Sequence, residues 1–229
     1  MSETTANQGT EATLQETLDR TDFGHWMYEH RKSFIAAIVA AFVGASGVLL
    51  FKQYQNKEAR ERSAEVHQFE TTVAAELRAG KLTPAEFDAK YKALPSELKA
   101  SPSMLPTALQ TAVYLDGKGE SAMAEGVLKD VVTAIGAKSP FYVLVAHSYA
   151  ALAEKNGKAD EAIKTLEAYI AEGHKVMLTK AYMDLGRLYL AKNDNAKAKT
   201  NFDYIIANYP NDELAKMARM YLQQVPAAQ

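Results

Sequence analysis

The side chains able to do chemistry are few and scattered. The chain has five histidines and no cysteine in 229 residues. Without cysteine there are no disulfides, thiolate metal sites, iron–sulfur clusters or cysteine nucleophiles. His25 and His30 stand close together, but the nearest carboxylates do not complete a metal-ligand pattern. Both histidines read as interfacial polar residues. The phosphate loop G-x-x-x-x-G-K-S/T, the dinucleotide loop G-x-G-x-x-G, the zinc motif H-E-x-x-H and the nucleophile elbow G-x-S-x-G are all absent. The other Asp and Glu residues stand singly on helix surfaces and read as solvated. The sequence therefore predicts no enzyme, no cofactor, no metal and no small-molecule substrate. A net charge of −2 without a basic patch argues against a nucleic-acid partner.

What remains is the scaffold. Hydrophobic residues make up 48% of the chain, enough for one or two domains with a real core. Gly and Pro are sparse, at 12 and 7, and Ala, Leu, Lys and Glu dominate, a composition that favours helices. Alternating Val/Ile/Thr runs bounded by turn signals are missing. The expected class is all-α.

Residues 33–51, between Lys32 and Lys52, run for 19 residues without a charge. As a helix at about 1.5 Å per residue this stretch is about 28 Å long, close to the hydrocarbon thickness of a bilayer. It predicts a single transmembrane helix. The apolar run exceeds the ~7–15 residues of a signal-peptide core and ends in Leu49-Leu50-Phe51-Lys52 rather than at a small-residue cleavage site. An uncleaved anchor is the better reading. Ala36, Ala40 and Gly44 place small residues at every fourth position, a stripe along which a second membrane helix could pack. Positive charges flank both ends: Arg20, Arg31 and Lys32 before it, Lys52, Lys57, Arg60 and Arg62 after it. Near the boundary, Arg31 and Lys32 outweigh Lys52, which leans towards a cytoplasmic N-terminus.

Residues 1–32 form an acidic tail, with Phe23, Trp26, Met27 and Tyr28 as interfacial anchors just before the span. Residues 52–103 read as a juxtamembrane helix and a helical linker. Val66, Phe69, Val73 and Leu77 recur at helical spacing, and Gly80 is a natural stop. Thr83-Pro84-Ala85-Glu86 carries the signature of a capping box with proline at the first helical position. Phe87, Tyr91 and Leu94 form its expected buried face. Pro95 and Ser101-Pro102-Ser103 mark breaks.

Residues 104–229 contain an internal repeat. Segments 119–132, 157–170 and 193–206 align as a turn residue (Gly119, Gly157, Asn193), a small residue (Ala124, Ala162, Ala198) and a bulky one (Leu128, Leu166, Phe202). The turn residue must tolerate left-handed backbone. The alanine lets two helices cross closely, and the bulky residue one turn on fills the groove beside it. Asp212 can cap a last helix bearing Leu214, Met217, Ala218, Tyr221 and Leu222, closing the open end of the stack.

This pattern resembles the tetratricopeptide repeat. The third copy matches it best, with Tyr182, Leu185, Gly186 and Tyr189 in its first helix and Ala198, Phe202, Ile205 and Pro210 after them. The first helices of the other copies keep Ala112 and Ala150 but carry Thr111 and Tyr149 where Leu is usual. The resemblance implies about three repeats and a C-terminal capping helix, with a peptide groove along the first helices. Projecting that groove gives Leu109, Val113, Leu144, His147, Ala151, Met183 and Arg187, an apolar lining suited to extended polypeptide. The Lys/Asn carboxylate clamp of co-chaperone members is absent at Leu109 and Val113.

The full layout resembles the ancillary SecYEG translocon subunits, the YfgM-like proteins. Membership would imply a bacterial inner-membrane protein with its N-terminus in the cytoplasm and its repeats in the periplasm. Its partners would be the SecYEG translocon, periplasmic chaperones and exported clients. An envelope-assembly or cell-division scaffold and an organellar import receptor with cytosolic repeats are the competing readings.

Overall fold

A computed structural model of the chain describes residues 52–225. The chain divides into two units, Met1–Glu58 and Ala59–Gln229. In the first, residues 52–58 are helical. The acidic tail 1–32, the apolar segment 33–51 and its stripe of Ala36, Ala40 and Gly44 lie outside the described residues. Among the described residues no helix is long and apolar enough to cross a membrane.

The second unit opens with α1, residues 59–78. Val66, Phe69, Val73 and Leu77 are all buried, so the spacing read from the sequence does mark the inward face. The helix is not uniform, however. Glu70–Ala74 forms a π turn. Eight residues of plain α-helix would rotate Glu70 and Arg78 onto different faces, and the wider π turn restores their alignment. The two form an ion pair across it. Thr71 and Thr72 donate back to the carbonyls of His67 and Gln68, at 2.9 and 2.7 Å, a bonding that competes with the regular ladder.

Helix α2, Pro84–Lys92, starts as the sequence requires. Thr83 Oγ1 accepts from the Glu86 amide at 3.3 Å, and the Glu86 carboxylate accepts from the Thr83 amide at 2.9 Å. Phe87 and Tyr91 are buried against Phe69, with ring centroids 6.0 and 6.3 Å away. A short helix α3, Ser96–Lys99, follows Pro95.

Six helices then pair off. They are α4 (Met104–Gly117), α5 (Ser121–Ile135), α6 (Tyr142–Lys155), α7 (Ala159–Ala171), α8 (Leu178–Ala191) and α9 (Asn195–Asn208). Each packs on its neighbours in sequence, and α10, Glu213–Leu222, closes against α9 and α8. No strand occurs among the described residues, and the all-α repeat architecture holds. The turns inside each pair depend on left-handed residues at the expected places: Gly119 at φ +87°, Gly157 at +77° and Asn193 at +60°. Ala124, Ala162 and Ala198 are fully covered, as are Leu166 and Phe202. The small position of the third pair has no room at all. A Cβ on Gly186 would overlap the ring of Phe202, so only glycine lets α8 and α9 approach this closely. Asp194 caps α9, and Asp212 caps α10 by accepting from the Leu214 amide at 2.9 Å.

Candidate interaction face

The first helices of the three pairs, α4, α6 and α8, carry the groove positions. The small residues Ala112, Ala150 and Gly186 set their register. In that register three rows stand partly or fully open to solvent: Pro106–Leu144–Lys180, Gln110–Ser148–Asp184 and Val113–Ala151–Arg187. Val113 is 74% exposed and Leu144 is 53% exposed. The face changes character along the stack. It mixes apolar and neutral polar residues on α4 and α6 and is ionic on α8.

Four of the seven residues projected from sequence lie in these rows: Val113, Leu144, Ala151 and Arg187. The other three do not belong there. Leu109, His147 and Met183 share one row that turns between helices. Leu109 is half-buried, His147 is 8% exposed and Met183 is 4% exposed. The physical reason is angular. Adjacent residues on a helix differ by about 100°, so a projection one residue out exchanges an open row for a packed one. The row Gln110–Ser148–Asp184 was missed by the same error. The open apolar lining therefore contains no methionine from α8.

Ion pairs join the first helices. Arg187 donates to both Glu154 oxygens, at 2.5 and 2.6 Å, in the two-pronged geometry that suits guanidinium and carboxylate. Lys155 reaches Asp116 at 2.5 Å, tying α6 to α4. Asp184 receives Lys180 at 2.6 Å. Burial pushes the Asp184 carboxyl up, but the Lys180 and Arg187 cations outweigh it and hold the group below its ordinary range. His147 Nδ1 is 3.9 Å from Asp184 Oδ2, beyond hydrogen-bond reach. Its ring meets Tyr169 edge-on, with centroids 5.0 Å apart. Arg187 is thus committed to an inter-repeat lock rather than free to meet a peptide.

The second helices carry clefts at successive junctions. A cleft of about 520 Å³ lies over Tyr149, and others of about 330 Å³ and 300 Å³ lie over Tyr189 and Tyr91. Each tyrosine hydroxyl is already spent. Tyr91 donates to the Val127 carbonyl at 2.9 Å, Tyr149 to Glu161 at 2.5 Å, and Tyr189 to Glu167. Burial pushes all three phenols up, so they act as neutral donors that lock the repeats. Partners this far apart in sequence gave no signal beforehand. Among the described residues, no group of three His, Asp or Glu could hold a metal ion.

Comparison with known proteins agrees with this geometry. Residues 24–185 match a family described as a tetratricopeptide repeat-like domain. No curated protein matches the chain. Two solved structures share its fold. Both are of a putative kinesin light chain from Podosopora anserina with nearly identical TPR-like repeats, one of them a point variant. Each is 18% identical, with a TM-score of 0.50, and the alignments cover 73% of this chain and 85% or 84% of theirs.

Proposed function

The chain belongs to the family of tetratricopeptide repeat-like domains, whose repeats serve protein–protein interaction, and on that premise we propose that it is a membrane-anchored adaptor for exported polypeptides. Residues 33–51 anchor it in a bacterial inner membrane, with the N-terminus in the cytoplasm and the repeats in the periplasm. There it acts as an ancillary subunit of the SecYEG translocon, receiving clients and handing them to periplasmic chaperones. The observation that carries the reading is the extent of the family match. It begins at residue 24, ahead of the apolar stretch, and runs on into the repeats. The apolar stretch and the helical array are thus parts of one family unit rather than an accidental fusion.

The open rows add support. Pro106, Val113, Leu144 and Ala151 offer apolar contact without a deep pocket for one side chain. Such a surface suits extended chains of varied sequence, which dock through apolar side chains along a groove. The third repeat contributes an ionic margin instead. No residue of this face is arranged as nucleophile and base, and its role is binding.

Two measurements test the proposal. Protease added to intact cells should leave the repeats uncut, and protease added to spheroplasts, whose outer membrane has been opened, should digest them. Purification in mild detergent should bring down the translocon channel. Digestion of the repeats in intact organelles would favour an import receptor. Stable recovery of envelope-assembly components without the channel would favour a scaffold.

A further inference from the structure

Two loops on one edge of the array are stitched together. Loop 136–141 joins α5 to α6, and loop 172–177 joins α7 to α8. His174 Nε2 lies 2.8 Å from the Ala137 carbonyl oxygen. The His174 ring stacks on Tyr142 at 6.1 Å and leans on Tyr169 at 4.9 Å. Tyr169 in turn donates to the Val176 carbonyl. These contacts fix the loops, yet what the loops present is apolar and exposed. Phe141 and Met177 are both open to solvent, and Val176 is 63% exposed. Met177 holds φ at +56°, a conformation that a side chain disfavours and that persists only where the surroundings impose it. Lys138 and Lys175 flank these residues, both exposed, and neither has a carboxylate partner among the described residues. Glu172 is the one acidic residue in either loop.

We propose that this edge is a second membrane contact, in which Phe141, Val176 and Met177 dip into the interface of an anionic bilayer while Lys138 and Lys175 meet its headgroups. An apolar cluster on a rigid surface marks an interaction site. Here the side chains stand in loops at helix starts, not in a row along a helix face where an extended peptide could lie. Apolar tips beside uncompensated lysines have the chemistry of interfacial binding, in which buried apolar area and attraction to anionic lipid add. The contact goes beyond the anchoring assigned to residues 33–51, and it would lay this edge of the repeat domain against the membrane.

Because the chain has no cysteine, a single Val176→Cys substitution can carry an environment-sensitive fluorophore on the full chain. Lys118→Cys, in the exposed turn after α4, provides the reference. The labelled chain is mixed with vesicles of phosphatidylcholine alone or with phosphatidylglycerol. Some vesicles contain an acyl-chain spin-labelled lipid as quencher, and iodide serves as the aqueous quencher. The proposal expects lipid quenching at position 176 but not at 118, stronger with phosphatidylglycerol. Lys138→Gln and Lys175→Gln should each weaken the contact about fivefold. A probe at 176 that stays open to iodide and untouched by the lipid quencher overturns it. Protection from iodide without lipid quenching also overturns it, because a protein or a second copy would then cover the edge. Resistance to alkaline extraction reports the anchor separately. A chain that resists extraction but shows no quenching refutes the loop contact alone. Quenching without resistance refutes the anchor alone.

Discussion

Replacing Gly186 by alanine tests the packing that holds the third repeat. The new Cβ would lie inside 3.0 Å of three atoms of the Phe202 ring. That ring is fully buried and stacks on Tyr221 of α10 at 5.4 Å, so it cannot retreat without displacing the capping helix. Overpacking of a filled core costs about 1–3 kcal/mol, and overlap with three ring atoms puts this site near the upper end, about 3 kcal/mol. Alanine returns about 1 kcal/mol of helix propensity relative to glycine. The net loss is about 2 kcal/mol. For a unit of this size that lowers Tm by about 4–8 °C, measured by helical ellipticity in mild detergent. A double-mutant cycle isolates the cause. Phe202→Ala alone should cost about 3–5 kcal/mol. In that background Gly186→Ala should cost nothing or stabilise, because its obstacle is gone. If Gly186→Ala stabilises the parent chain, or costs the same in both backgrounds, the close-approach argument is refuted.

Other perturbations test the turns and the buried polar groups. Gly119→Ala, at φ +87°, should cost about 1–2 kcal/mol in urea unfolding, while Asn193→Gly should be close to neutral. Glu125 is 1% exposed and accepts from Asn156 at 2.9 Å and from Lys158 at 2.8 Å. Glu125→Ala removes one acceptor of Asn156, which keeps the Ser121 carbonyl at 3.0 Å, and should cost about 1–3 kcal/mol; Lys158→Ala leaves the buried carboxylate without its cation and should cost at least as much. The folded chain holds the Asp184 carboxyl below its unfolded value. Between the two values the unfolded state binds more protons, so stability falls as pH drops from about 4 through the folded pKa. Asp184→Asn should flatten that part of a urea-midpoint profile against pH, and a slope unchanged by the substitution would contradict the assignment.

Legibility followed the range of each signal. The Thr83–Glu86 box, the Gly119, Gly157 and Asn193 turns and the Ala124–Leu128 spacing are local, and each was readable because one residue type satisfies one backbone need. The repeat period then placed the helices. Positions around a helix were less secure. Leu109, His147 and Met183 are plausible groove residues by type, but each packs between helices, and only the neighbours decide that. The π turn at Glu70–Ala74 escaped notice because Val66, Phe69, Val73 and Leu77 already fit an ordinary helix. The Arg187–Glu154 lock joins residues 33 apart, and nothing in one sequence pairs them.

Site-specific photocrosslinking from the first-helix face in cells most directly tests whether these repeats receive exported chains. A photoreactive residue at Val113 or Leu144 should capture nascent exported polypeptides, while the same residue at Met183, buried in the packed row, should capture almost none. Equal capture at Met183 and Val113, or adducts limited to stable envelope components at all three positions, would contradict it.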